Sequence, residues 1–186
     1  STLRTFAEGD FTAIQPIEVV EQKFPLRLEE CSLRPDSSGD GKFRGGLGMR
    51  RVIRLLADSG SLSSVSDKNV IPPYGVFGGT AALQNAVGVV RQGKALHPSR
   101  TPGKVTNFRL RKDDLVVFES SGGGGYGDPL DRDVARVARD VQLGYVSPER
   151  ARDVYGAIMN DNGVDGNATR ARRRQLRRGR IVLELV

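Results

Sequence analysis

The stretch SGGGGYGDPLDRD, from Ser121 to Asp133, marks the place where the hydrophobic pattern of this chain changes. Short runs that alternate apolar and polar residues precede it, and apolar residues at helical spacing follow it. Four consecutive glycines cost much backbone entropy, so they need a physical reason. Either their N–H groups converge on a phosphate beside a helix N-terminus, or the chain approaches neighbouring backbone too closely for any Cβ. The lysine of a P-loop, with the serine or threonine that follows it, does not occur after these glycines.

Upstream of the glycines the sequence predicts a series of short strands. Leu26 and Leu28 alternate with charged neighbours, which is the period of two expected for a half-buried strand. The DSG sequence at 58–60 is a hairpin signal between the second and third strands. Two loops rich in turn residues, 35–48 and 71–82, interrupt the series. The predicted strands are 17–34, 49–57, 61–67, 86–91, 103–110 and 115–120.

Downstream of the glycines two short helices are predicted. Asp131 can cap the first helix, and Gly144 can end it. Ser147-Pro148-Glu149 predicts the start of the second, because it offers a hydroxyl cap, a proline in the first turn and an acid near the positive helix end. The segment 160–175 has the composition of a polar linker, and IVLELV at 181–186 is predicted to be a strand.

Together these patterns predict a mainly β fold with two short C-terminal helices, an α+β module. We expect three segments. They are a β-rich module at 1–128, a two-helix appendage at 129–159, and a basic linker with a terminal strand at 160–186.

Charge and composition limit the classes of partner. The net charge of +7 is concentrated in ATRARRRQLRRGR, residues 168–180, which favours a solvated tail or a helix against an acidic neighbour. No aromatic residue interrupts these arginines, which disfavours nucleic-acid binding. No apolar run approaches the ~18 residues of a membrane helix, and the first residues lack a signal-peptide pattern. With a single cysteine, we expect a cytoplasmic protein without an internal disulfide.

Candidate contact residues cluster in the glycine-rich loops. Arg44 could hold a carboxylate or phosphate, although its position in a turn leading into a basic strand face favours a structural role. Tyr74 could line a pocket, or belong to a rigid turn with two buried aromatic rings. Cys31 is expected to be buried and inert, and the single histidine, His97, to lie on the surface. The predicted substrate or phosphate contacts are Gly122, Gly123, Gly124, Gly125, Tyr126, Arg44 and Tyr74.

The same residues do not assemble a complete catalytic centre. No pattern supplies a nucleophile, a base and an oxyanion hole together, so catalytic residues are not assigned. One histidine argues against a histidine-based metal site within this chain.

Four blocks of the chain resemble, in family order, the hydantoinase B proteins of the hydantoinase/oxoprolinase family. They span roughly residues 16–158. The blocks are FPLRLEECSLRPDSSGDGKFRGGLGMRR, IPPYGVFGG, SGGGGYGDPL and VARDVQLGYVSPERARDVYG. The chain is similar to about the C-terminal third of such a protein.

The resemblance implies a multi-subunit enzyme that opens a cyclic amide, such as a hydantoin, a lactam or 5-oxoproline. ATP phosphorylates the amide oxygen, and the activated carbon is then hydrolysed. Related acetone and acetophenone carboxylases carry the same subunit types, so a ketone carboxylase component is the alternative. A third alternative is a non-catalytic structural module of such a complex.

Cofactors and partners follow from the same resemblance. An A-type subunit with an actin-like fold is expected to bind ATP and Mg. A divalent metal belongs, if present, to the N-terminal part of the B-type subunit, and none is expected on this chain alone. The expected assembly is a hetero-oligomer of this chain with that A-type subunit and that N-terminal part, without a membrane or nucleic acid.

Overall fold

The computed structural model describes residues 6–7, 10–11, 16–160 and 163–183. Contacts between residues divide the chain into two compact units, each built from three separate segments. Unit 1 contains Ser1–Ser32, Arg50–Asp67 and Ala86–Glu119, and unit 2 contains Leu33–Met49, Lys68–Asn85 and Ser120–Val186. The three segments expected from the sequence, 1–128, 129–159 and 160–186, each follow the chain without interruption. The two units do not, since each combines three separate segments. The division into the three expected segments stays a prediction.

Most of the described strands lie in unit 1, where they form two main sheets and one separate pair of two-residue strands, Phe6–Ala7 with Asp10–Phe11. The elements in chain order are β1 Phe6–Ala7, β2 Asp10–Phe11, α1 Ile17–Lys23, β3 Leu26–Leu33, β4 Met49–Leu55, β5 Ser59–Val65, β6 Ala86–Arg91, β7 Lys94–Leu96, β8 Lys104–Arg111 and β9 Leu115–Glu119. A five-stranded sheet has the order β3-β4-β9-β6-β7, and β5 pairs with β8 in a two-stranded sheet. β9 pairs antiparallel with both β4 and β6.

The core of unit 1 is drawn from both sheets. The buried apolar cluster contains Leu55, Leu62, Val89, Val105, Leu110 and Val116. These residues come from five strands, β4, β5, β6, β8 and β9, so the cluster packs one face of the larger sheet against the smaller one. The predicted β-rich character of this part is therefore confirmed.

Three local predictions in unit 1 are wrong. The DSG sequence at 58–60 does not close a hairpin, because β4 pairs with β9 and β5 pairs with β8. The predicted strand 17–34 begins with helix α1, and strand β3 starts only at Leu26, after Pro25. Cys31 is exposed rather than buried. Counting in twos from Leu26 and Leu28 places it on the opposite, outward face of β3.

Asp114 fastens the turn that carries the chain from one sheet to the other, between β8 and β9. Its side chain is almost completely buried. The Arg91 guanidinium donates to it at 2.6 Å, and the Arg111 backbone N–H donates at 2.8 Å. These hydrogen bonds, that of Arg91 first, hold the pKa of Asp114 below its ordinary value.

We therefore expect Asp114→Asn to lower the free energy of unfolding at pH 7. A carboxylate with a lowered folded-state pKa stabilises the fold above its unfolded pKa, near 4, and loses that contribution as pH falls through the folded pKa. The difference in unfolding free energy between wild type and variant should consequently narrow as the pH falls below about 4. Urea unfolding across this range measures it, with Asp113→Asn, an exposed neighbour, as control. A gap that widens towards low pH would contradict this account.

The described residues of unit 2 form three α-helices and two long loops. The helices are α2 Val134–Gln142, α3 Pro148–Asp153 and α4 Gly166–Leu183, and the short strands β10 Met159–Asn160 and β11 Gly163–Val164 pair antiparallel. Ser147 caps α3 as predicted, with its hydroxyl accepting from the Arg150 N–H at 3.2 Å. The cap of α2 is Asp133 rather than Asp131, which lies in a 3-10 turn. The buried cluster contains Val137, Val146, Ala151, Tyr155 and Ala157.

Helix α4 replaces most of the predicted linker and part of the predicted terminal strand. Its start is stabilised by Asp165, whose carboxylate accepts from the Ala168 N–H at 2.9 Å. Arginine, alanine, glutamine and leucine favour helix in the following turns. Residues 181–183 continue the helix, and 184–186 lie outside the described residues. The expectation of a helix against an acidic neighbour is confirmed where Arg177 meets Asp131 at 2.5 Å.

Within the described residues, no helix combines the length and the apolar character that a membrane crossing requires.

Candidate functional site

The glycine stretch, residues 121–127, runs between two other loops of unit 2. We call these the first loop, 37–48, and the second loop, 74–80. Backbone hydrogen bonds join the glycine stretch to both of them. On the first-loop side the Gly39 N–H donates to Gly123 O at 2.8 Å and the Gly123 N–H to Gly46 O at 2.9 Å. On the second-loop side the Val76 N–H donates to Gly125 O at 2.9 Å and the Gly125 N–H to Thr80 O at 3.0 Å.

The close approach of these backbones explains the glycines. A Cβ on Gly124 would lie 1.8 Å from the Tyr74 carbonyl oxygen, and one on Gly125 would lie 1.9 Å from that of Asp40. Both distances are far inside van der Waals contact, and the obstructing atoms are backbone. The same restriction applies in the two partner loops, at Gly39, Gly45, Gly48, Gly75 and Gly79. The interpretation by close backbone approach therefore has direct geometric support.

The phosphate interpretation requires free N–H groups. Those of Gly123 and Gly125 already donate to carbonyl oxygens of the two partner loops. These two amides are consequently not available to a ligand unless the three-loop packing opens. Contact of the glycine stretch with a phosphate or substrate stays a prediction.

Tyr126 is held in place by backbone bonds on both sides. Its N–H donates to Phe43 O and its carbonyl accepts from the Phe43 N–H, each at 3.0 Å. The Gly127 N–H donates to Val76 O at 2.9 Å. The Tyr126 ring lies 5.2 Å from the Phe77 ring in an edge arrangement and 6.2 Å from the Phe43 ring. We call these three rings, one from each loop, the aromatic patch.

Phe77 adopts a backbone conformation that is unfavourable for a bulky residue. Its φ is +50°, and the following Gly78 has φ +89°. Such a conformation costs on the order of 1–3 kcal/mol in a non-glycine residue. The ring is nevertheless 77% exposed, so the strain does not serve burial within this chain. Strain of this kind is characteristic of residues that a protein positions for contact.

Tyr74 lies on the second loop, three residues before Phe77. Its carbonyl oxygen lies against Gly124, which brings it together with the predicted glycines. Its side chain is 75% exposed. The expectation of two buried aromatic rings in this turn is therefore wrong, because the rings of Tyr74 and Phe77 are both largely exposed.

Arg44 has partners of its own on helix α2. Its Nε and Nη2 donate to the two oxygens of Asp140, each at 3.1 Å, and its Nη1 donates to Gly45 O at 2.7 Å. The guanidinium also stacks over the Tyr145 ring at 5.6 Å. Arg132 donates to the same carboxylate at 2.8 Å. A role for Arg44 in holding a substrate anion stays a prediction, and it would require Arg44 to leave Asp140.

A second ion pair fixes the first loop to α3. The Arg150 guanidinium donates to both oxygens of the buried Asp40, at 2.6 to 3.1 Å. The Thr80 hydroxyl donates to Asp40 and accepts from its N–H, which adds the second loop. Burial, with the charge of Asp40 nearby, raises the pKa of the Tyr155 hydroxyl. Tyr155 is therefore a neutral core residue and not a base.

Phe43 and Phe77 were not identified from the sequence, and neither were the carboxylates of Asp40 and Asp140 that pair with arginines. Each phenylalanine stands one or two residues from paired glycines in a loop, and this was the available signal. Asp140 lies at helical spacing from Val137, on the apolar side of α2, which indicates a buried charge with a partner. His97 is exposed, as predicted. In the described part of the chain, no three His, Cys, Asp or Glu residues are grouped so that they could hold a metal.

Comparison with known proteins identifies the family. The sequence profile described as Hydantoinase B/oxoprolinase matches residues 7–129, more than half of the chain. The chain belongs to this family. An uncharacterized protein of Methanocaldococcus jannaschii is 42% identical over 140 residues, 75% of this chain and 24% of that protein. The B-type subunit of a putative D-/L-hydantoinase of Pseudomonas sp. is 32% identical over 151 residues, 81% of this chain and 25% of that protein.

Two solved structures share the fold. The ATP-dependent caprolactamase of Pseudomonas jessenii matches 85% of this chain and 28% of its own, with a TM-score of 0.71 and 29% identity. Nucleotide-free acetone carboxylase matches 91% of this chain and 27% of its own, with a TM-score of 0.76 and 23% identity. The hydantoinase B/oxoprolinase chain described here thus spans about a quarter of the length of the two curated relatives named above.

Proposed function

We propose that this chain is the C-terminal part, or a small subunit, of an ATP-dependent enzyme that opens a cyclic amide such as a hydantoin, a lactam or 5-oxoproline. The supporting observation is the 32% identity, over 81% of the chain, with the B-type subunit of a putative hydantoinase. A caprolactamase beta subunit is equally similar, at 32% over 84% of the chain. Hydantoins and caprolactam are both cyclic amides.

The chemistry explains why such an enzyme would use ATP. An amide nitrogen is a poor leaving group, and the carbon is a poor electrophile because that nitrogen donates electron density to the carbonyl oxygen. Transfer of the terminal phosphoryl group to that oxygen releases ADP and activates the carbon. One water then adds to the carbon and the ring C–N bond breaks, which leaves an acyl phosphate on the opened chain. A second water cleaves this acyl phosphate to a carboxylate and free phosphate. The net change is one amide bond hydrolysed and one ATP converted to ADP and phosphate.

Two observations on the described residues support placing the nucleotide and the metal on other parts of the complex. The amides of Gly123 and Gly125 are occupied, and the described part holds no group of metal-ligating side chains. We therefore propose that ATP and Mg are held by an A-type partner in a cytoplasmic hetero-oligomer. Any divalent metal would belong to the part of a B-type polypeptide that this chain does not match.

The contribution of this chain is to present side chains on the three-loop scaffold. We propose that Gly122–Gly125 and Tyr126, with Tyr74 beside them, lie at the active site or at its border with the rest of the B-type polypeptide. The exposure of Tyr74 and Tyr126 supports this placement. Under this proposal the glycines act by positioning Tyr126, since two of their amides are used within the scaffold.

The test is reconstitution of the complex from the genes neighbouring that of this chain. We expect ADP to be released only when a hydantoin, a lactam or 5-oxoproline is supplied, together with the ring-opened product. Product identification by mass spectrometry, with and without each component, checks this. Turnover that requires a ketone and bicarbonate would reject hydrolysis. It would favour the carboxylase alternative, which rests on 28% identity with an acetone carboxylase alpha subunit over 94% of this chain.

A further inference from the structure

The aromatic patch exposes much apolar surface on a rigid base. Phe43, Phe77 and Tyr126 are 51%, 77% and 50% exposed. Full burial of one aromatic side chain covers roughly 150–250 Å². Three adjacent rings therefore leave a patch large enough to mark an interaction site on a soluble protein.

The backbone beneath the patch is built for presentation. Each ring comes from a different loop, and backbone hydrogen bonds of 2.8 to 3.1 Å hold the three loops in register. Phe77 is kept at positive φ, a conformation that glycine would adopt without strain. The scaffold thus holds the rings in place at a cost in folding stability. Because the rings are already ordered, less conformational entropy is lost when a partner binds them.

The length of the relatives indicates what covers the patch. In the two solved relatives this fold is about a quarter of one longer chain, so in both it belongs to a larger polypeptide. We infer that the aromatic patch is the surface on which the remaining three quarters or so of a hydantoinase B-type polypeptide docks, whether in the same chain or as a separate one. This inference rests on the proposed function, because it supplies the partner of the same site.

The binding experiment compares matched phenylalanines. The probe is the N-terminal part of the hydantoinase B-type polypeptide from the same source, called the front part below. It is purified separately and titrated calorimetrically against this chain. Phe43→Ser with Phe77→Ser should weaken binding by at least about 30-fold, as expected for central aromatic contacts. Phe24→Ser is the control, because Phe24 is also 51% exposed but lies in unit 1, outside the patch. It should bind within about twofold of wild type.

A second variant tests the role of the strain. Phe77→Gly should raise the melting temperature of this chain, because glycine adopts positive φ freely, and should still weaken binding of the front part. A purely structural role for Phe77 predicts the reverse, a lower melting temperature with unchanged affinity. This readout does not depend on enzyme activity.

The outcomes separate this inference from the proposed function. Patch variants that bind the front part like wild type but raise KM would overturn the docking role and keep a substrate role. The docking role would also be overturned if this chain formed a concentration-dependent dimer that is lost in the patch variants and kept in Phe24→Ser. Patch variants that lose binding in a complex that hydrolyses no cyclic amide would reject the proposed function and keep the docking surface.

Discussion

Gly124→Ala is expected to destabilise this protein by about 3 kcal/mol or more, the upper end of the usual cost of overpacking. The added methyl carbon would lie 1.8 Å from the Tyr74 carbonyl oxygen. Relief requires the second loop to move, because the obstructing atom is backbone and not a flexible side chain. Gly125→Ala should behave alike, since its Cβ would lie 1.9 Å from the Asp40 carbonyl oxygen.

The control for this prediction lies in the partner loop itself. Gly46 has no atom within 4 Å of an added Cβ and does not adopt positive φ, although its backbone pairs with the glycine stretch. Gly46→Ala should therefore change the free energy of unfolding by no more than about 0.5 kcal/mol. Urea unfolding of the variants, followed by far-UV circular dichroism, measures both effects. Equal stability of Gly124→Ala and Gly46→Ala would show that the close backbone approach does not hold in solution.

The strands were predictable because their signal is local. A period of two in short runs needs no knowledge of partners, and β6 was placed at the residues where it occurs, 86–91. Pairing was not predictable from the same signal. The DSG sequence resembles a hairpin turn, yet β4 and β5 join different sheets, because their apolar faces are buried against each other in one core. Which sheet a strand joins is decided by contacts between residues distant in sequence.

The candidate site also combines a local signal, which the sequence shows, with long-range contacts, which it does not show. The glycine stretch indicated an unusual backbone, and the two interpretations differed only in what approaches it, backbone or ligand. Distinguishing them required the positions of Tyr74 and Asp40, which are 50 and 85 residues away in the chain. Phe77 illustrates a further limit. Nothing in GVFGG distinguishes a buried ring from one held outward at positive φ.

Asp140→Ala is expected to have a comparably large effect, for an electrostatic reason. The variant leaves two guanidinium groups without their carboxylate, those of Arg44 and Arg132, whose side chains are only 15% and 9% exposed. Removing one partner of a buried ion pair typically costs 3–5 kcal/mol, because the remaining charge is desolvated without compensation; we expect about 4 kcal/mol here. Thermal and urea unfolding would measure the loss.

Two further variants show whether the loss comes from unpaired charge. Asp153→Ala removes a carboxylate from an exposed pair with Arg152 and should cost no more than about 0.5 kcal/mol. Arg44→Met in the Asp140→Ala background should recover part of the stability, since it removes one of the unpaired buried charges. In the wild-type background the same Arg44→Met should lower the free energy of unfolding, because Asp140 loses one of its two guanidinium partners. If it left stability unchanged and raised KM for an acidic substrate, Arg44 would instead serve the substrate, and its pairing with Asp140 would not contribute to the fold.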